Sequence, residues 1–581
     1  MRYPTLYTKE NSRQMVDIFK GYNHNLRIGD GEFFDMKNMT SDYYPVASPR
    51  KDRGVYASAT NPNGMIAKDS LCYVDGTKFV INGYPVDMGL SDEPKQLISM
   101  GAYVIIMPDK KWINTLNTTE FGNIEATWES TGDVTFTLCT ITGDNYEGAT
   151  ASATEPKEPK NMQLWIDISS TPHVLKQYSE TSAMWVSIAT TYIKIAATGI
   201  GKSFAQYDGV TISGVSSAGL QALNSTMVIW DRGDDYIVVV GILDELTTQT
   251  VAEGVITVGR TMPKLDYVTE SDNRLWGCKY GIADNGQVVN EIYACKLGDF
   301  KNWNCFMGTS TDSYVVGVGS DGPFTGAVTH LGYPLFFKEN IMHKVYGKYP
   351  ANFQVQDTAC RGVQKECDRS MAIVNETLFY KARSGIMAYD GSLPTEVSYA
   401  LGTEAYSDAV GGAHGNKYYV SMKDVNGMWN LFVYDTAKGM WHKEDNLHVS
   451  AFCSCRGEMY AIDADTKKIL TMLGSGEGQA KDLQWIVETG EIGISSPDMK
   501  YISRLTVRML LDIGSEVRIY GKYDFNDAWE HLFVTKGTSL RSFSVPIRPK
   551  RCDHMKLRIE GVGMAKIYSI TKTIEQGSEI S

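Results

Sequence analysis

The chain predicts an all-β fold, a β-propeller carrying one inserted and one terminal domain, on three observations. A pair of short apolar strands recurs five times between Leu275 and Met472 at a spacing of about forty residues, the spacing of propeller blades. Period-two alternation dominates the regions on either side of that repeat. No sustained period of 3.6 residues occurs, so helices are expected to be few and short.

The first strands of the five units are Leu275-Trp276-Gly277-Cys278, Leu335-Phe336-Phe337-Lys338, Leu378-Phe379-Tyr380-Lys381, Tyr418-Tyr419-Val420-Ser421 and Met459-Tyr460-Ala461-Ile462. Their partners, each after a polar turn, are Glu291-Ile292-Tyr293-Ala294, His343-Lys344-Val345-Tyr346, Ile386-Met387-Ala388-Tyr389, Leu431-Phe432-Val433-Tyr434 and Ile469-Leu470-Thr471-Met472. A lone sheet of this kind cannot cover both faces, so the units are expected to stack radially. Gly411-Gly412, Tyr418-Tyr419, Tyr434-Asp435 and Trp441 form a partial kelch pattern, with the glycines read as permitting a close turn and the rings as filling the wedge between blades.

Along the chain, residues 1–53 read as an extended, irregular arm that ends in the basic cluster Arg50, Lys51 and Arg53. Residues 54–117 hold the first blades, with strands at Cys72-Tyr73-Val74, Lys78-Phe79-Val80-Ile81, residues 102–106 and Trp112-Ile113, and tight hairpins at Asp75-Gly76 and Asn82-Gly83. Two such blades plus five later ones make seven, or six if the early strands share one sheet. Residues 118–262 are too long for a blade loop and are themselves strand-rich, so they read as an inserted β-domain. The remaining blades fill residues 263–475. Gly474-Ser475-Gly476-Glu477-Gly478 reads as a flexible joint to a β-sandwich over residues 476–581, where residues 505–511, 517–520, 542–547 and 555–559 alternate apolar and polar.

Composition narrows the function. The net charge of −12, with no long basic run, argues against a broad grip on nucleic acid phosphates, although it suits a wall that nucleic acid slides past. Neither a secretion signal nor an eighteen-residue apolar span is visible. The ten cysteines form no CxxC pair, and Cys453 with Cys455, the one close couple, reads as buried thiols.

No catalytic, cofactor-binding or metal-binding residue is assigned, no cofactor is expected, and the chain is expected not to be an enzyme. Ser320-Asp321-Gly322-Pro323 resembles a sialidase Asp-box only superficially and reads as a turn. The nine histidines show no HExxH or His-x-His spacing, and His330 and His343 beside the Leu335 strand read as structural. Gly199-Ile200-Gly201-Lys202-Ser203 lacks the first glycine of a P-loop, and there is no GxSxG elbow for Ser-His-Asp catalysis.

Several segments are similar to bacteriophage tail-hub proteins, the stabilisation or nozzle proteins of short-tailed phages. They are Arg274 to Cys278, Asn290-Glu291-Ile292-Tyr293-Ala294, Leu297 to Trp303, Gly319 to Gly326, Leu335 to Asn340 and Lys344-Val345-Tyr346-Gly347. Lys37-Asn38-Met39 and Tyr44 to Arg50 resemble the arm of that family, and Pro172 to Lys176 with Trp185 to Ile188 resemble its inserted region. The resemblance implies a virion protein, made in the bacterial cytoplasm, that forms a homo-hexameric ring below the portal and head-to-tail adaptor. Such a ring would continue the channel through which double-stranded DNA passes, retain the genome, and anchor tail fibres or receptor-binding proteins. The alternative is a propeller-based carbohydrate-active enzyme or lectin acting on a bacterial surface polysaccharide, in which Trp429, Trp441 and Trp485 could stack on sugar rings, although core packing explains them at least as well.

Overall fold

A computed structural model describes residues 12–146, 148–252, 254–283, 285–474, 482–495, 499–524, 526–537 and 539–576. Among them the helical elements are four short 3-10 segments, Ala218–Leu223, Pro350–Asn352, Asp368–Ser370 and Tyr399–Leu401, and the rest of the regular structure is strand. Among the described residues, six four-stranded sheets and the first four strands of a ten-stranded sheet form seven propeller blades. Their first strands are Pro62–Ala67, Gln96–Met100, Tyr267–Ser271, Gly326–His330, Ala372–Val374, Tyr406–His414 and Val449–Cys455. The two strand pairs ahead of the insertion lie in separate sheets, so the count is seven and not six. Between Lys78–Ile81 and Tyr84–Asp87 of the first blade, Asn82 and Gly83 both take positive φ (52° and 79°), the tight hairpin expected of an Asn-Gly pair. The joint at residues 475–478 lies outside the described residues.

The chain divides into two compact units, Met1–Lys95 with Phe337–Met342 and Ala359–Ser581, and Gln96–Phe336 with His343–Thr358. In the first unit the seventh blade is completed by a strand from the start of the chain. Gly54–Ser58 pairs antiparallel with Lys468–Thr471. Leu71, Tyr73 and Val80 of the first blade pack against Ile462 and Ile469 of the seventh. Val410 and Tyr419 of the sixth pack against Val449 and Met459 of the seventh.

The paired glycines are not at a turn. Gly411 and Gly412 lie inside strand Tyr406–His414, where a Cβ on Gly411 would collide with the Ser370 carbonyl and one on Gly412 with the Phe452 ring. The missing side chains let neighbouring sheets approach.

The segment read as a separate arm is woven into this unit's sheets. Ser12–Val16 pairs with the final strand Ala565–Gln576, in the sheet that also holds Lys500–Leu511 and Arg541–Val545. Gly21–Tyr22 adds to the outer strand Met440–Lys443 of the sixth blade, pairs parallel with Glu32–Lys37, and that strand pairs with Gln484–Thr489. A ten-stranded sheet therefore runs without a break from Tyr406–His414 of the blade, through the arm, to Met555–Val562, Glu516–Tyr523 and Glu530–Lys536. The last strands face the Lys500–Leu511 sheet as a sandwich. Val507, Met509, Val517, Ile519, Leu557 and Ile559 are buried between the layers, as the period-two pattern requires.

The basic cluster at the end of the arm is paired. Arg53 bonds Asp445 at 2.6 Å and Glu444 at 2.7 Å, and Arg50 reaches Asp445 at 3.2 Å. Burial alone would raise the Asp445 carboxyl, but Arg53 and Arg50 outweigh it and hold it below the usual range. Removing one partner from such a buried set leaves an uncompensated charge, worth about 3–5 kcal/mol.

In the second unit, residues between the second and third blades form the insertion. An eight-stranded sheet runs Ala126–Glu129, Thr257–Arg260, Gly209–Ser213, Thr226–Gly233, Tyr236–Val240, Tyr192–Ala196, Val134–Cys139 and Gln249–Val251 around one apolar cluster that includes Phe136, Ile195, Val210, Ile229 and Ile237. A four-stranded sheet from Thr150–Ser152 to Met184–Ser187 accompanies it. The insertion is fastened at its base. Arg260 pairs with Asp208 at 2.6 Å and donates to the Ile124 carbonyl, while the buried Asn302 accepts from the Gly209 N–H at 3.0 Å and donates to the Tyr207 carbonyl at 2.7 Å.

His442, on the blade strand next to the arm, is buried with neither ring nitrogen bonded to a described residue. Burial, with help from nearby Lys417, pushes its pKa down from 6.5 to about 3, against the opposing pull of Asp42 and Asp435. A histidine whose pKa falls on folding gives its full stability above 6.5 and loses it as pH drops from there toward 3. Thermal unfolding should therefore show the midpoint falling between about pH 6.5 and 4, and His442→Leu should flatten that slope. An unchanged slope in the variant would assign the acid sensitivity to other groups.

Candidate functional site

A cavity of about 360 Å³ in the second unit is lined by Asp272, Arg274, Trp276, Gly347, Lys348 and Phe353 among others. Local sequence explains how these side chains converge. Asp272 and Asn273 take positive φ (51° and 57°) and turn the chain tightly from Tyr267–Ser271 into Arg274–Ile282. Along that strand Arg274, Trp276 and Cys278 fall on one face and Leu275 on the other. Trp276 and Cys278 join the cluster of Phe324, Phe336 and Val345, whereas Leu275 joins that of Ile98, Ile105 and Trp303. Both faces are covered, which is why the repeat reads as a continuous apolar run.

The aromatic wall of the cavity is mutually braced. Phe353 meets Trp276 and Tyr314 edge-on, each at 5.0 Å between ring centres. Arg274, only 2% exposed, lies 5.7 Å from the centre of the Phe353 ring. Its guanidinium donates to the carbonyls of Cys295 at 2.8 Å, Asp312 at 2.5 Å and Ser310 at 3.0 Å, while Nε has no partner among the described residues. The Asp312 carboxylate is occupied elsewhere, accepting from the N–H groups of Met307, Gly308 and Thr309. A buried cation is thus neutralised by peptide dipoles without a direct carboxylate. Burial lowers the Arg274 pKa, and Cys295 and Asp312 only partly oppose this.

A second polar constellation lies on the fourth blade. Ser320 Oγ is 2.8 Å from His343 Nε2, and His343 Nδ1 is 2.6 Å from Asp357 Oδ1. These residues were read as a turn and a structural histidine because the pattern that joins them spans a loop and two strands. Only the register of Ile341–Tyr346 beside Gln354–Ala359 brings them together.

Of the three tryptophans weighed as sugar platforms or core, two belong to the core. Trp441 and Trp485 are buried, with their indole N–H groups bonded to the carbonyls of Val397 and Gly563. One face of Trp429 is covered by His448, stacked at 3.9 Å and 11°. The Gly199 to Ser203 segment is a turn, with Ile200 in the core of the insertion. Cys455 is buried and Cys453 half-buried, and both are free thiols. Among the described residues no group of three His, Cys, Asp or Glu is arranged to hold a metal, and no helix is long and apolar enough to cross a membrane.

No protein family model matches the chain, and no curated protein is detectably similar. Solved structures that align with it include a family 43 arabinoxylan arabinofuranohydrolase from Bacillus subtilis, at 6% identity and a TM-score of 0.18 over 54% of this chain and 95% of the other. Another is an exo-β-1,3-galactanase from Phanerochaete chrysosporium, at 9% identity and a TM-score of 0.16 over 82% and 95%. Superpositions this weak transfer no residue and no reaction. The expectation of a non-enzyme meets glycoside hydrolases among the structures that align with this chain, and it is not carried further.

Arg274 should prove indispensable to the cavity wall. Arg274→Lys keeps the charge but cannot span three carbonyls, and should cost about 1–3 kcal/mol for each buried acceptor left unpaired. Chemical denaturation of the pure protein measures this, and a loss below experimental error would show that the guanidinium is not what holds the loop around Asp312.

Proposed function

We propose that this chain is a structural component of a bacteriophage tail, a propeller subunit that assembles with copies of itself into a ring of the hub or nozzle kind. The observation that carries the reading is the unbroken ten-stranded sheet that ties a blade, the amino-terminal arm and the terminal sandwich together. Backbone pairing links each strand of that path to the next, through the Tyr22–Trp441 pair where blade meets arm, which suits a part that transmits load between neighbours. The segments similar to tail-hub proteins support the same reading, as does the net charge of −12, which would repel DNA phosphates and let a genome pass a lumen without sticking. In such an assembly one heterologous interface, repeated by rotation, closes a ring around a channel.

A second reading, a carbohydrate-active protein, has its own observation: the cavity that sets the half-buried ring of Phe353 beside the exposed Asp272 and Lys348. Aromatic faces with a few fixed donors are what a glycan site needs. Two measurements separate the readings. Electron microscopy of the purified protein, alone and with a portal and adaptor, should show a symmetric ring, whereas a monomer under every condition would overturn the hub assignment. Incubation with host surface polysaccharide followed by a reducing-end assay should show no release if assembly is the whole role, and steady release would favour the second reading.

A further inference from the structure

We propose that Ser320 is a nucleophile activated by His343 and Asp357, and that this site hydrolyses small acyl esters. The atoms are connected in the order that such chemistry requires. The seryl oxygen meets Nε2 at 2.8 Å, and the opposite nitrogen, Nδ1, meets the carboxylate at 2.6 Å. The carboxylate therefore fixes the tautomer that leaves Nε2 able to take the seryl proton.

The surroundings hold this geometry in place. The imidazole is fully buried, and Phe324 packs against it at 6.0 Å between ring centres. The main chain of the serine is pinned by Asn290, whose Nδ2 donates to the carbonyls of Val318 at 3.0 Å and Ser320 at 2.6 Å. Ser320 is only partly buried and lies between the exposed Gly319 and Asp321, so the loop that carries it is at the surface. Asp357, with a side chain 48% exposed, departs from the buried carboxylate that gives the fastest triads, and slow turnover is expected.

The reaction balances with water as the co-substrate. Ser320 Oγ attacks the ester carbonyl carbon while its proton passes to His343 Nε2. The bond to the alkoxy oxygen breaks and the alcohol leaves with that proton. Water then attacks the acyl-serine carbonyl, giving a proton to Nε2; the bond to Oγ breaks, the proton returns to the serine, and a carboxylic acid is released. His343 and Ser320 are the catalytic residues, and Asp357 is a positioning residue.

The test is covalent labelling of the full chain with a fluorophosphonate probe, read by peptide mass mapping, together with hydrolysis of p-nitrophenyl acetate. The expected result is an adduct on Ser320 that Ser320→Ala abolishes, with ester turnover falling to the level of buffer. Asp357→Asn, at a half-exposed position where folding should be preserved, is expected to slow labelling by about tenfold or more. An unlabelled Ser320 in the folded protein, or Asp357→Asn labelling as fast as the parent, would overturn the proposal and leave the three residues as a loop brace. Neither outcome depends on whether the protein forms a ring.

Discussion

Everything in the first unit depends on one arrangement: strands from the start of the chain hydrogen-bonded to strands near its end. Gly54–Ser58 supplies the fourth strand of the seventh blade, which Val449–Cys455, Glu458–Asp463 and Lys468–Thr471 cannot complete by themselves. A propeller of open sheets has an edge to protect, and borrowing a distant strand protects it while joining the two ends of the repeat. The same stretch of chain then does structural work twice more, through Glu32–Lys37 in one layer of the sandwich and Ser12–Val16 in the other. The ion pairs of Arg50 and Arg53 with Glu444 and Asp445 sit where the arm passes from sandwich to blade.

Between blades the seams are made by volume matching. On the seam of the sixth and seventh blades, the bulk of Phe452 and Met459 is answered by the absent side chain at Gly412, and Gly411 leaves room for the Ser370 carbonyl. Interiors packed to this density feel single methyl groups, so the pattern of bulky and absent side chains specifies which sheet faces which.

The propeller was legible because its signal is local. Each strand is a short run such as Leu378-Phe379-Tyr380-Lys381, and the period of the repeat follows from counting. The insertion was legible as a gap with its own alternation. What sequence missed was non-local. Nothing in Ser12–Val16 or Gly21–Tyr22 announces a partner several hundred residues away, and a polar segment with few apolar residues reads as an extended arm until its backbone pairing is seen. The glycine pair misled for a related reason: a doublet is a turn signal, but inside a strand it marks close approach of a neighbour. The same limit hid the Ser320, His343 and Asp357 arrangement, whose members each look ordinary, and it left Trp441 and Trp485 undecided between surface and core until their burial was seen. Arg274 stands in the quoted strand, yet no local pattern distinguishes a guanidinium held by three carbonyls from one on the surface.

The account therefore turns on whether the arm is an integral strand donor. Hydrogen exchange resolved by mass spectrometry tests this directly. If the arm closes the blade and knits the sandwich, amides of Gly54–Ser58 and Glu32–Lys37 will be protected to the same degree as those of Lys468–Thr471 and Gln484–Thr489, and will open with them. Rapid exchange of the arm beside a protected seventh blade would contradict it.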